Sequence, residues 1–340
     1  MKHIKRILIA LGVVIVIALI AGFSYYKSID NALDGIHTSK TSASNKIQNG
    51  KPFSILLLGA DTGADGRTDR GMSDTIIVIT VNPKTDKATM YSVPRDTLAE
   101  MVGDKKKNVQ KINAAYNIGK STMAKNSISE LLNVPIDYSM AVDMNAIKTT
   151  VDYVGGIDVD SPMKVSFDGV TIQKGKHHLN GKEALTYARM RYQDPRGDYG
   201  RQQRQQQVLK AVVKKLKTPE YLVKLPGLIK KLGVDVNTDL TDKEIRQIPM
   251  KYHSVSTDFD TGHLQGKTAW INGSSYQVAP TNNLQDGSDT LRTSLGLSTE
   301  TISNTETTLN KLNGKFFKNN DDTDYDTNGL NTTYYTNNTH

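Results

Sequence analysis

Three short apolar runs, each bounded by turn-forming residues, follow one another early in the chain. Residues 54–58 and 75–81 are continuous apolar runs, the pattern of strands buried on both faces. Residues 88–93 form a third run, separated from the second by an Asn-Pro turn at 82–86. The turn predicts that the second and third strands pair as a hairpin.

Helical patterns interleave with further short strands. Four segments carry apolar residues at helical spacing or begin with a capping box: 121–132, 144–154, 180–190 and the segment from Thr241. A longer helix begins at Asp198, and its apolar residues form one stripe: Val208, Leu209, Val212, Val213 and Leu216. This order predicts an α/β fold, a three-layer α-β-α domain with a central mixed β-sheet.

The N-terminus has the pattern of a membrane anchor. Residues 1–6 are basic, residues 7–23 carry no charge, and residues 7–26 together span roughly the 20 positions that a bilayer requires. We predict one transmembrane signal-anchor helix over 7–26, with residues 1–6 in the cytoplasm and the following domain outside the cell. A cleavable signal peptide is the alternative, although no small-x-small site follows the apolar run.

The remaining boundaries follow from composition. Residues 27–51 are polar and are expected to form a stalk, and residues 52–285 are expected to form the main folded domain. Residues 286–340 are rich in Asn, Thr, Ser, Asp and Lys, so we expect a disordered polar tail.

The charge and the cysteine count narrow the classes of function. The net charge is +8, which suits an anionic partner such as nucleic acid, lipid head groups or a phosphate-rich polymer. The chain has no cysteine, which excludes disulfides, cysteine-ligated zinc and thiol catalysis.

Charged residues flank the predicted strands. Asp61 follows the first strand and Asp74 precedes the second, so neighbouring strands would let both carboxylates hold Mg²⁺; a polar loop is the alternative. Arg95 follows the third strand and Pro94, where a stiff backbone suits an anion site. A surface salt bridge is the alternative for Arg95.

The strongest signal is a cluster of five arginines within 16 residues: Arg189, Arg191, Arg196, Arg201 and Arg204. Arg201 and Gln205 continue the apolar stripe of the long helix, so they are predicted to point inward. Inward-facing cations need counter-charge, and a bound di-anion would supply it; arginine suits phosphate because its planar fork gives bidentate bonds. Asp198 would either orient Arg201 or act as a base.

These segments resemble the LytR–CpsA–Psr family of bacterial cell-wall enzymes from about residue 52 to 280. The matching motifs are LLLGAD (56–61), SDT (73–75), VNPKT (81–85), SVPRDT (92–97), KINAAY (111–116), VGGID (154–158), LNGKEAL (179–185), YARMR (187–191), Asp198 and RQQRQ (201–205).

The resemblance implies a membrane-anchored phosphotransferase of the cell membrane's outer side. It would move a glycopolymer, of the teichoic acid or capsular polysaccharide type, from an undecaprenyl-pyrophosphate carrier to peptidoglycan. Asp61 and Asp74 would hold Mg²⁺, with Mn²⁺ as an alternative. The implied pyrophosphate ligands are Arg95, Arg189, Arg191, Arg201, Gln205 and Arg70, with Arg67 as the alternative to Arg70. Asp198, Arg95 and Arg191 would be catalytic, Asp198 by assisting the acceptor.

Three other functions use some of the same residues. With water as acceptor, the site would hydrolyse polyprenyl pyrophosphates. A regulator that binds DNA would suit the positive charge, but the basic residues follow an outward-facing anchor and no helix-turn-helix pattern appears, so no nucleic acid partner is expected. A non-catalytic binder of lipid or polysaccharide is the third.

Overall fold

The computed structural model describes residues 25, 27–28, 43–60, 71–318 and 324–332. Its strands are β1 Phe53–Ala60, β2 Ser73–Asn82, β3 Lys87–Ser92, β4 Leu98–Glu100, β5 Val109–Lys111, β6 Tyr138–Val142, β7 Ile157–Ser161, β8 Val165–Phe167, β9 Val170–Ile172, β10 Gly175–Leu179, β11 Val236–Thr238, β12 Asp260–His263, β13 Lys267–Ile271 and β14 Ser274–Val278. Its helices are α1 Ala114–Leu132, α2 Met144–Tyr153, α3 Gly181–Arg189, α4 Asp198–Leu216, α5 Pro219–Leu232, α6 Asp242–Lys251, α7 Thr281–Ser294 and α8 Thr305–Leu312.

The central sheet has six strands in the order β11-β6-β1-β2-β3-β12. The pairs β1–β6 and β3–β12 are parallel, and the other three are antiparallel. β2 and β3 pair as the predicted hairpin, and β1 lies beside β2 with Gly59 opposite Thr75. The predicted α/β fold with a central mixed sheet is therefore confirmed.

Side chains alternate between the two faces of the sheet because successive residues of a strand point in opposite directions. On β1, Leu56 and Leu58 belong to a core that α1 and α7 cover, with Ile128 and Leu291 among its buried residues. Leu57 on the same strand faces a cavity that α2, α4, α5 and α6 enclose. Helices therefore cover both faces, in three layers.

The sequence-predicted anchor over residues 7–26 lies, apart from Tyr25, outside the residues that the structure describes. Within the described part of the chain, no helix has both the length and the apolar character needed to cross a bilayer.

The predicted stalk is too long at its C-terminal end. Ile47 is fully buried in a core with Phe53 and Tyr138, and the Lys46 ammonium lies 2.9 Å from a carboxylate oxygen of Asp137. One apolar side chain in a polar segment is enough to anchor residues 44–51 to the domain when a pocket receives it.

The prediction of a disordered tail from residue 286 is wrong for the described residues up to 332. α7 and α8 are regular helices, and widely spaced apolar residues of this segment are buried: Leu291, Leu295, Ile302, Leu309, Phe316 and Tyr325. Asparagines add order, since Asn304 caps α8 and donates to the carbonyls of Glu130 and Leu131 at 3.1 Å. Average composition misses such hydrogen bonds because they depend on partners far along the chain.

Candidate functional site

Asp74 and Arg95 meet at one end of the central sheet. Asp74 is the second residue of β2, and Arg95 follows β3 after Pro94, so adjacent strands carry the two side chains to the same place. Arg95 Nη1 lies 2.9 Å from Asp74 Oδ1. Burial lowers the pKa of Arg95, but the carboxylates of Asp74, Asp96 and Asp198 more than offset this and raise the pKa above its ordinary value. Arg95 is therefore a fixed cation.

The second half of the site is built on the first turns of α4. Asp198 is the first residue of this helix, and its Oδ1 lies 2.5 Å from Arg201 Nη2 and 4.0 Å from Arg191 Nε. Gln202 Nε2 donates to the other carboxylate oxygen at 2.8 Å. Asp198 therefore forms a close ion pair with Arg201, as the predicted orienting role requires, whereas Arg191 lies at the outer limit of an ion pair.

The two halves are close enough to influence each other electrostatically. The Arg201 side chain is only 10% exposed, and burial lowers its pKa. The neighbouring cations of Arg95 and Arg191 also lower it, while the carboxylates of Asp198 and Asp74 act in the opposite direction. Arg95, Arg191 and Arg201 therefore lie near one another, with Asp74 and Asp198 among them.

Unsatisfied donors point to an anionic ligand. Among the described residues, the Nε atoms of Arg95 and Arg201 are buried and have no hydrogen-bond acceptor. The carboxylate oxygen Oδ2 of the neighbouring Asp96 lies 3.6 Å from Arg95 Nε, which is too far for a hydrogen bond. Buried donors are normally satisfied, and phosphate oxygens match guanidinium donors in charge and geometry.

An apolar cavity of about 340 Å³ adjoins these charges. Arg189 and Gln205 line it together with Gly59 and Thr75, which neighbours Asp74. The rest of its wall is almost entirely apolar, and α4 contributes Val208, Leu209, Val212 and Leu216. The site thus combines a cationic end with an apolar chamber, which suits an amphiphile with a phosphorylated head.

Two of the five clustered arginines serve the fold. Arg204 is fully buried, and its guanidinium pairs with Asp194 and donates to the carbonyls of Tyr187, at 3.0 Å, and Met190. Arg196 makes two hydrogen bonds to the same carboxylate, at 2.9 and 2.8 Å. These bonds hold the end of α3, which carries Arg189, and the following loop, which carries Arg191, against α4. The spacing of the five arginines along the sequence does not distinguish those that stabilise the fold from those that belong to the site.

Asp96 and Lys111 form a further pair beside the site that the sequence analysis did not select. Lys111 Nζ lies 3.1 Å from Asp96 Oδ1. Asp96 and Lys111 both belong to motifs that carry the family resemblance, and these motifs could have identified the two residues from the sequence. Asp61, Arg67 and Arg70, which were predicted to bind metal or pyrophosphate, lie outside the described residues.

The family can now be assigned. A family model described as the LytR_cpsA_psr family matches residues 19–293, which is more than half of the chain. The chain belongs to the LytR_cpsA_psr family. This confirms the resemblance seen in the motifs.

Relatives within the LytR_cpsA_psr family include named enzymes. The polyisoprenyl-teichoic acid–peptidoglycan teichoic acid transferase TagU of Enterococcus faecalis is 38% identical over 251 residues, which cover 74% of this chain and 82% of the relative. The crystal structure of Bacillus subtilis TagV is similar with a TM-score of 0.63 at 34% identity, covering 73% of this chain and 99% of that one. TagT bound to LIIa-WTA has a TM-score of 0.61 at 27% identity, with coverage of 73% and 92%.

Proposed function

We propose that this protein transfers a glycopolymer, of the teichoic acid or capsular type, from an undecaprenyl-pyrophosphate carrier to peptidoglycan. The observation that carries the proposal is the joining of the converged arginines to the apolar cavity at Arg189 and Gln205. A pyrophosphate bound by the guanidinium groups would leave its prenyl chain in the cavity. The names of the relatives support the same reaction.

The chemistry follows from the charges of the site. A hydroxyl of peptidoglycan attacks the sugar-linked phosphorus, the bond to the bridging oxygen breaks, and undecaprenyl phosphate leaves with the electron pair. Negative charge builds up on the phosphate oxygens, and Arg95, Arg191 and Arg201 stabilise it because they are already in position. Asp198 pairs with Arg201 and is our candidate for assisting the acceptor hydroxyl by accepting its proton.

We also propose that Mg²⁺, with Mn²⁺ as the alternative, binds Asp61 and Asp74. In support, Ala60 at the end of β1 pairs with Ser73, so the chain leaves β1 beside the strand that carries Asp74. The Asp74 side chain is 35% exposed despite its bond to Arg95, so its carboxylate remains accessible. No group of three His, Asp or Glu side chains among the described residues is arranged to hold a metal, so the ion would rely on Asp61 and on substrate phosphate oxygens. When bound, the ion would neutralise phosphate charge.

The proposed location is the outer side of the cell membrane, with the anchor over residues 7–26 and the N-terminus in the cytoplasm. The basic residues before the anchor and the apolar run itself support this topology. A topology reporter fused to the C-terminus should be active outside the cell. Activity in the cytoplasm instead would contradict this location and return the DNA-binding alternative to consideration.

The decisive experiment incubates the full-length protein with a labelled undecaprenyl-pyrophosphate-linked polymer, with and without peptidoglycan. Transfer predicts label in peptidoglycan and, without acceptor, an intact donor. Release of free polymer at equal rates in both reactions would identify a hydrolase and contradict transfer. Removing Mg²⁺ by chelation and restoring it tests the metal in the same assay.

A further inference from the structure

Helix α5 separates the apolar cavity from the surface of the protein. Its inner face lines the cavity with Leu225, Leu228, Ile229 and Leu232. Its outer face is exposed and carries a large apolar residue beside basic ones: Val223, Lys224, Lys230 and Lys231. Val223 is 70% exposed, and Glu220 is the acidic residue on this face, where it pairs with Lys224 at 2.7 Å. Lysines on an exposed face near a bilayer are each attracted to anionic lipid head groups.

The end of the predicted anchor contacts this same helix. Pro226 lies inside α5 and has no N–H, so it cannot donate to the carbonyl of Leu222 four residues earlier. Tyr25 supplies the missing bond, because its hydroxyl donates to Leu222 O at 2.8 Å. The contact ties α5 to the segment that would leave the membrane.

Tyr25 also packs against the wall of the cavity. It lies with Leu225, Ile229 and Ile245 in one apolar cluster, and these three residues line the cavity as well. The cavity therefore extends from the wall beside Tyr25 to the charged end at Arg189.

We propose that the outer face of α5 lies on the surface of a bilayer that contains anionic lipids. The three lysines contact the lipid head groups, and Val223 enters the interface between head groups and acyl chains. Tyr25 sets the position of α5, since a residue at the end of a membrane helix is held at the depth of the head groups.

The placement gives the carrier lipid a short path. The prenyl chain enters the cavity from the side of α5, and the pyrophosphate reaches the arginines without the chain crossing water. This consequence rests on the proposed transfer reaction, whereas the docking of α5 rests only on the proposed anchor over residues 7–26.

The docking is tested with a single label. The sequence has no cysteine, so Val223→Cys in the full-length protein accepts one fluorophore at a defined position. Leu312→Cys on α8, where Leu312 is 59% exposed, is the matched control. In phosphatidylglycerol vesicles, the label at 223 should be shielded from iodide and quenched by a lipid-attached quencher, and the label at 312 should behave oppositely. Equal quenching by iodide at both positions would overturn the proposal.

The path of the lipid is tested by comparing donors. A variant with Lys224→Glu, Lys230→Glu and Lys231→Glu should lose transfer from a vesicle-embedded undecaprenyl donor by about tenfold or more. The same variant should use a water-soluble short-prenyl donor as well as wild type does. The control reverses three exposed lysines elsewhere: Lys105, Lys106 and Lys311.

The outcomes separate the two hypotheses. If wild type uses neither donor, the proposed function fails, and the quenching experiment still decides the docking. If wild type uses both donors and the α5 variant matches the control variant on both, the path through α5 is wrong.

Discussion

Arg201 and Arg204 lie one turn apart on α4, and replacing each by methionine should have opposite consequences. Arg204→Met removes a fully buried guanidinium that binds Asp194 and two backbone carbonyls. Arg201→Met removes a guanidinium whose pKa burial lowers, with further lowering by Arg95 and Arg191. The first change should mainly damage the fold, and the second should mainly damage activity.

The magnitudes follow from what each substitution leaves behind. Removing one partner of a buried ion pair costs about 3–5 kcal/mol, a large part of the roughly 5–15 kcal/mol that stabilises a typical protein. Arg196 still pairs with Asp194, so the lower part of that range applies. The melting temperature of the Arg204→Met variant should fall by on the order of 10 °C. Burial lowers the pKa of Arg201, and Asp198 keeps its bond from Gln202 after the change, so Arg201→Met should lower the free energy of unfolding by less than Arg204→Met does.

The assay combines urea unfolding with transfer of a labelled donor at a temperature where both variants remain folded. Arg201→Met should lower the rate about 10²–10³-fold, the usual effect of losing one preorganised donor to a developing anion. The reasoning is refuted if Arg201→Met destabilises the protein as much as Arg204→Met does. It is also refuted if Arg204→Met unfolds at the wild-type urea concentration.

Three further predictions concern other parts of the molecule. Replacing glycine by alanine inside a helix normally stabilises a protein by about 1 kcal/mol. Gly200→Ala should instead destabilise this protein in urea titrations, because the new Cβ would lie 2.0 Å from Asp194 Oδ2, which Arg196 and Arg204 hold in place. Stabilisation would contradict the anchoring role of that carboxylate. Burial raises the pKa of Glu306 to about 7, above its unfolded value, so the free energy of unfolding should decrease by about 3 kcal/mol as the pH rises from about 4 through 7. Glu306→Gln should abolish that decrease, and an unchanged pH profile would refute the assignment. Arg191→Ala should reduce transfer about 10²–10³-fold with unchanged thermal unfolding, and undiminished turnover would count against the site.

Local features of the fold were predictable because they depend on residues close in sequence. The capping boxes of α3 and α6 form as predicted, with Asn180 and Thr241 each accepting from the backbone of the third helical residue. The β2–β3 hairpin follows from its turn, and the ion pair of Asp198 with Arg201 follows from helical spacing. In each case the partners lie within a few residues, so no tertiary contact has to be known.

Only the tertiary structure decided which charges belong to the site. Arg201 and Arg204 stand in the same motif, but Arg201 lies near Arg95, which follows β3, whereas Arg204 pairs with the buried Asp194. The apolar cavity likewise draws its wall from segments more than 100 residues apart, and the ordered tail depends on asparagine bonds to α1. The burial of a charge or an amide is stabilising only when a partner meets it, and for these residues chain folding, rather than local sequence, supplies the partner.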